Sequence, residues 1–122
     1  MNKISVGKIW EDRVAAYLEG NGYTILERNF RFHKKEIDII AEKDDLVVFV
    51  EVKYRKDMTF GTGLDAVTTR KRGNIQLAAV YYIDKNRLHN CNVRFDVASI
   101  EQDKLLYIED AFQFKSDPLW RK

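Results

Sequence analysis

The stretch that decides the fold reads Glu36-Ile37-Asp38-Ile39-Ile40-Ala41-Glu42-Lys43-Asp44-Asp45-Leu46-Val47-Val48-Phe49-Val50-Glu51-Val52-Lys53-Tyr54. It parses into two strands, Glu36 to Lys43 and Leu46 to Tyr54, with Asp44-Asp45 between them. Leu46-Val47-Val48-Phe49-Val50 is apolar at every position, so both faces of that strand are covered and it belongs at the centre of a sheet. The link is so short that a two-residue hairpin is expected, which sets Lys43 opposite Leu46. Counting outward sets Asp38 opposite Glu51 and Glu36 opposite Lys53. Opposed residues have Cβ atoms about 4.5–5.5 Å apart. An unbroken period of two puts all four charged side chains on one face.

The remaining elements follow from hydrophobic spacing. Val6 to Gly20 predicts a helix, with Val6, Ile9, Trp10, Val14, Tyr17 and Leu18 as its apolar stripe. Ser5 is the expected N-cap, and Gly20 or Gly22 the stop. Tyr23 to Phe32 predicts a first strand, Thr68 to Lys85 a second helix, and Asn92 to Ile100 and Lys104 to Asp110 two closing strands. Arg55 to Gly63 reads as a loop. The order α-β-β-β-α-β-β predicts an α/β sandwich around a mixed sheet.

The chain has 122 residues, enough for a single domain over 1–114 followed by a tail over 115–122. Charged residues make up 33% and apolar ones 45%, yet the net charge is only +2. Any nucleic-acid surface must therefore come from local arrangement of charge. No apolar run approaches a membrane span of about 20 residues, so no membrane partner is expected. The lone Cys91 excludes an internal disulfide framework and a cysteine-built zinc site. Met1 to Ser5 carries no apolar signal core, and a cytoplasmic location is expected. His33 and His89 lack metal-ligand spacing and read as surface residues.

Two carboxylates set side by side repel, and burial sharpens the cost. A shared proton, a neighbouring lysine or a divalent cation can offset it. For a cation, Asp38, Glu51 and the backbone carbonyl of Val52 offer the oxygen ligands that Mg²⁺ or Mn²⁺ prefers. Lys53, one pleat further on, could hold an attacking water or a phosphate oxygen. On the first helix Glu11 lies at the edge of the buried stripe, with Gly7 one turn earlier allowing close approach, so Glu11 can join the acidic group. Asp96 reads as a brace paired with an arginine rather than as a catalytic acid.

Together, Gly7-x-x-x-Glu11, Gly22-Tyr23-x-Ile25-Leu26-x-Arg28-Asn29 and Glu36-Ile37-Asp38-x-Ile40-Ala41 resemble the YraN-like family of small bacterial proteins. So do Val48-Phe49-Val50-Glu51-Val52-Lys53-x-Arg55, Phe60-Gly61, Ala66-Val67-x-x-x-Lys71 and Arg94-Phe95-Asp96-Val97. The resemblance covers roughly residues 6–100. It implies the PD-(D/E)XK nuclease superfamily, near archaeal Holliday-junction resolvases, and hence a restriction-endonuclease-like fold. It further implies that Asp38, Glu51 and Lys53 match the active-site signature, Glu11 the acid of the first helix, and that the activity is metal-dependent DNA cleavage. Glu36 beside Lys53 would orient it. Lys35 stands where members commonly have glycine, and Trp10 and Val14 where they commonly have small residues.

Basic clusters flank these residues. Arg31 and Lys35 precede the acidic strand, Arg55 follows Lys53, and Lys71 opens the second helix, where free N–H groups favour phosphate. Nucleic acid, preferentially DNA, is the expected partner, bound mainly through its backbone. Branched or flapped substrates and a homodimer follow by analogy with junction resolvases. The alternatives are a non-catalytic nucleic-acid- or partner-binding module on the same fold, and an interaction domain docking through Trp120 and the tail.

Overall fold

The structure, a computed structural model, describes residues 3–55 and 68–113, with side chains from Val6 to Tyr54 and from Thr68 to Gln113. The elements are α1 (Lys3–Gly20), β1 (Thr24–Phe32), β2 (Lys35–Lys43), β3 (Leu46–Arg55), α2 (Thr69–Lys85), β4 (Asn92–Glu101) and β5 (Lys104–Phe112). The expected order is therefore observed. Most of the expected loop from Arg55 to Gly63, and the tail with Trp120, fall outside the described residues.

Five strands form one mixed sheet in the order β1-β2-β3-β4-β5. β3 and β4 run parallel, joined across α2, and the other neighbours are antiparallel. β3 is the middle strand, as its two-sided apolar run requires. Val47 and Phe49 pack beneath α2 with Ile75, Ala78, Ala79, Tyr82 and Ile83. Val48 and Val50 pack beneath α1 with Trp10, Val14, Ala15 and Leu18. One helix thus covers each face. No helix among the described residues is long and apolar enough to cross a membrane.

Three local expectations need correction. α1 already includes Lys3, so Ser5 lies inside the helix and does not cap it. Ile9 and Tyr17 are 36% and 42% exposed, so the buried stripe is narrower than their spacing suggested. Gly7 is exposed, and a Cβ placed there would meet nothing within 4 Å, so it mediates no close approach.

Helix ends follow residue chemistry. α1 stops where the Gly22 N–H reaches the Glu19 carbonyl and the Tyr23 N–H the Leu18 carbonyl, both at 3.0 Å. That closure needs a positive φ, and Gly22 has +90°. At α2 the Thr68 hydroxyl accepts from the Lys71 N–H at 3.2 Å, fixing the first turn. Thr68→Ala is expected to cost about 1 kcal/mol in urea unfolding, the usual value of such a cap. A loss under about 0.3 kcal/mol would mean that the cap does not hold this turn in solution.

Candidate active site

The β2–β3 register is the one read from the sequence as far as the sheet keeps its pairing. Lys43 faces Leu46 across the Asp44-Asp45 turn, and the ladder continues to Ile39↔Val50. There it stops. The Val52 N–H, free of a β2 main-chain partner, goes instead to Asp38 Oδ2 at 2.7 Å. A carboxylate side chain thereby takes the place of a strand carbonyl.

The cause lies next door on β1. Arg28 pairs with Ile39, and Phe30 with Ile37. Phe30 and Ile37 pack beneath α2, whereas Ile39 packs beneath α1 and Arg28 reaches the α1 acids. Residues two apart therefore face opposite ways, and the switch falls at Asn29 and Asp38. Asn29 has φ +53°, a backbone twist that asparagine tolerates better than most side chains. This breaks the period of two on which a single four-residue charged face depended.

Asp38 and Glu51 nevertheless meet. The Glu51 side chain is only 6% exposed and lies close enough to Asp38 to act on its proton affinity. Burial pushes the Asp38 carboxyl up to about 8, aided by the closeness and charge of Glu51 and by the charge of Glu11, against the pull of the Val52 N–H. The pair is built to hold a proton or another positive charge. Lys71 Nζ, in the first turn of α2, stands 3.1 Å from Glu51 Oε2 and supplies one. Burial works against the Lys71 charge, but Glu51, Asp38 and Glu36 outweigh it and raise its pKa.

The other expected members divide. Glu36 does not reach across to Lys53; its carboxylate takes Arg31 Nε at 3.1 Å, the residue opposite it on β1. Lys53 is exposed and lies beside Ser99 of β4. Glu11 does face the sheet, but both its oxygens are engaged. Arg28 Nη2 donates to Oε1 at 2.8 Å and Asn29 Nδ2 to Oε2 at 3.0 Å. Arg28 also holds Asp12 at 2.6 Å, so it ties α1 to β1. Lys35 is half-buried at the β1–β2 hairpin, and the Arg55 side chain lies outside the described residues. Asp96 is the expected brace, fully buried and paired with Arg94 at 2.8 Å.

Lys71 as the counter-ion of Glu51 was not legible from spacing, which offered it only as a phosphate contact. The available signal was its position one turn into a helix that follows the Glu51 strand. The pH consequence is direct. The Asp38 carboxyl binds its proton more tightly folded than unfolded, where its value is 3.8. Its contribution to stability is thus complete below about pH 4 and lost as pH rises toward 8. Asp38→Asn should flatten that decline in a pH series of urea midpoints; an unchanged slope would place the titration elsewhere.

Among the described residues no three His, Cys, Asp or Glu side chains converge as a metal cage. The donor set is the Asp38–Glu51 pair plus the Val52 carbonyl, which lies on the same strand edge as the Val52 N–H that meets Asp38. Two carboxylates, a carbonyl and water suit a hard cation such as Mg²⁺. The ammonium now on Glu51 marks where positive charge is favoured.

This arrangement is an acid pair at the end of a central strand, met by a lysine from the following helix. A family model described as "Uncharacterised protein family UPF0102" matches residues 10–100, a span that includes Glu11, Asp38, Glu51, Lys53, Lys71 and Asp96. A UPF0102 protein of Sulfurihydrogenibium sp. (strain YO3AOP1) is 40% identical, over 94% of this chain and 100% of its own. One from Clostridium perfringens (strain SM101 / Type A) is 43% identical, over 89% and 94%. One from Carboxydothermus hydrogenoformans is 35% identical, over 93% and 96%. The chain belongs to the UPF0102 family, the grouping that the YraN-like motifs anticipate.

Proposed function

We propose that this protein is a divalent-metal-dependent nuclease on a restriction-endonuclease-like fold, cutting phosphodiester bonds of DNA. The observation that carries the reading is the Asp38–Glu51 pair: Glu51 buried, Asp38 half-buried beside it, and the two drawing the Lys71 ammonium. A structural carboxylate pair sealed away from solvent gains nothing from that repulsion, whereas a cation site requires it. Asp38, Glu51 and the Val52 carbonyl would hold Mg²⁺ or Mn²⁺. The metal, when bound, supplies Lewis-acid stabilisation of phosphate charge.

The chain's own residues supply the rest. Lys53 extends from the strand end two residues beyond Glu51, exposed and able to hydrogen-bond an incoming water or a phosphate oxygen. Lys71 adds a cation at the first turn of α2, next to helix N–H groups that favour phosphate. Glu11, fixed by Arg28 and Asn29, adds negative charge felt at Asp38 without contacting it directly. Arg31 and Lys35 supply backbone contacts before the acidic strand. A homodimer would suit a symmetric branched substrate.

A second reading, a non-catalytic nucleic-acid-binding module, is favoured by one contact. Lys71 already neutralises Glu51 in the manner of a structural ion pair. Incubation with branched, flapped and single-stranded oligonucleotides in Mg²⁺ or Mn²⁺, against an EDTA control, separates the two. Metal-dependent products from the wild type support the nuclease. Retention of nucleic acid without turnover on any of these substrates supports the module.

A further inference from the structure

The β1–β2 hairpin ends in a two-residue tip, His33-Lys34, closed by the Phe32–Lys35 pair. His33 has φ +57°, which turns the chain sharply there. Phe32 is held between two rings, with His33 edge-on at 4.5 Å and Tyr81 of α2 stacked at 4.5 Å and 27°. Tyr81 also lies over Phe30 at 6.3 Å and 24°. Yet Tyr81 remains 42% exposed, and Leu77, one helical turn before it, is 55% exposed. Core packing of Phe30 thus accounts for the inner part of this stack and leaves its outer part facing solvent.

The rim of that aromatic surface is basic. Lys34 is exposed at the tip, and Lys35, cross-strand from Phe32, follows it. A protein-binding hot spot is typically depleted of charge at its centre and of lysine throughout. Rings interleaved with cations fit a different ligand, a nucleic-acid strand whose bases stack while its phosphates meet lysine and arginine. Inside a duplex, stacking covers both faces of each base, so free π-faces are presented mainly by unpaired bases and strand ends.

We propose that the hairpin tip and the Tyr81 face of α2 form a stacking platform for unpaired nucleotides, so that the ligand is a single strand or a frayed end. The inference rests on nucleic acid being the partner, but not on cleavage. The test is fluorescence anisotropy with a short labelled single strand and its duplex, at fixed salt and in EDTA, so that turnover plays no part. The wild type should prefer the single strand. Tyr81→Ala should weaken single-strand binding by about 5- to 100-fold, the equivalent of one stacked base, with much less effect on the duplex. Tyr81→Phe should restore it. Lys34→Ala should weaken both ligands and lower the salt dependence.

Equal affinity for single strand and duplex, or an unchanged Tyr81→Ala that remains folded by circular dichroism, overturns the platform and leaves a nuclease reading standing. Absence of binding to either ligand overturns both the platform and the nucleic-acid partner. Single-strand preference with no cleavage in the metal assay overturns the nuclease reading alone. A wild-type dimer that Leu77→Glu converts to monomer in sedimentation would make this face an interface between copies and overturn the platform.

Discussion

Glu51→Gln is expected to reduce cleavage by about 10³-fold or more, because metal stabilisation of phosphate charge is worth several kcal/mol. The substitution keeps shape and hydrogen-bonding capacity but removes one charge from a buried pair. Stability should change little. Burial, the main cause that pushes Asp38 up to about 8, remains, but the repulsion from the Glu51 charge is relieved, which favours the folded state. Against this, Lys71 loses its partner, but its side chain is 46% exposed and can turn to water. Loss of an ion pair with one solvated member costs on the order of 1 kcal/mol or less. Cleavage rate and urea midpoint measured on the same preparation decide the matter. A fall of 3 kcal/mol or more, the scale of a broken buried pair, would make Glu51 a structural residue.

Asp96→Ala is expected to do the reverse and cost about 3–5 kcal/mol. Asp96 is fully buried and accepts four hydrogen bonds: two from Arg94 at 2.8 Å, one from the Tyr107 hydroxyl at 2.6 Å and one from the Asp110 N–H at 2.9 Å. Arg94 in turn donates to the Tyr23 hydroxyl at 3.0 Å. The network thus links β4, β5 and the turn between α1 and β1. Burial and the Asp96 carboxylate hold the Tyr107 hydroxyl protonated far above the ordinary tyrosine range. Alanine leaves the Arg94 charge, 18% exposed, and the Tyr107 hydroxyl without their acceptor. Against a typical total of about 5–15 kcal/mol, that is a large share. Urea unfolding tests it, and a loss under about 1 kcal/mol would show that the network is redundant. Two buried carboxylates, Glu51 and Asp96, therefore give opposite results: one has a carboxylate and a half-exposed ammonium for neighbours, the other a largely buried guanidinium.

Much of this could be read from the chain. Five apolar residues in succession at Leu46 to Val50 place β3 centrally, and the Asp44-Asp45 link sets the register as far as Ile39↔Val50, one residue short of Asp38 and Glu51. Arg94 two residues before Asp96 makes their pairing legible, since residues two apart share a strand face. What escaped depends on breaks in periodicity or on distant partners. Counting by twos assumes an unbroken pleat, and the twist at Asn29 violates it, so Glu36 turns to Arg31 rather than to Lys53. Arg28 is 17 residues from Glu11, and only the docking of α1 on the sheet brings them together. The Lys71–Glu51 contact likewise needs α2 to be laid across the sheet before it exists. Gly7 failed for a simpler reason: a small residue in an apolar stripe permits close approach but does not cause it.

The most direct measurement is titration calorimetry of Mn²⁺ and Mg²⁺ into the wild type, Asp38→Asn and Glu51→Gln at one pH. Binding to the wild type that disappears in both variants, with all three folded, is the expected result. Failure of the wild type to bind either ion, or equal binding by all three, would contradict a metal site at Asp38 and Glu51 and leave Lys71 as the structural counter-ion of the pair.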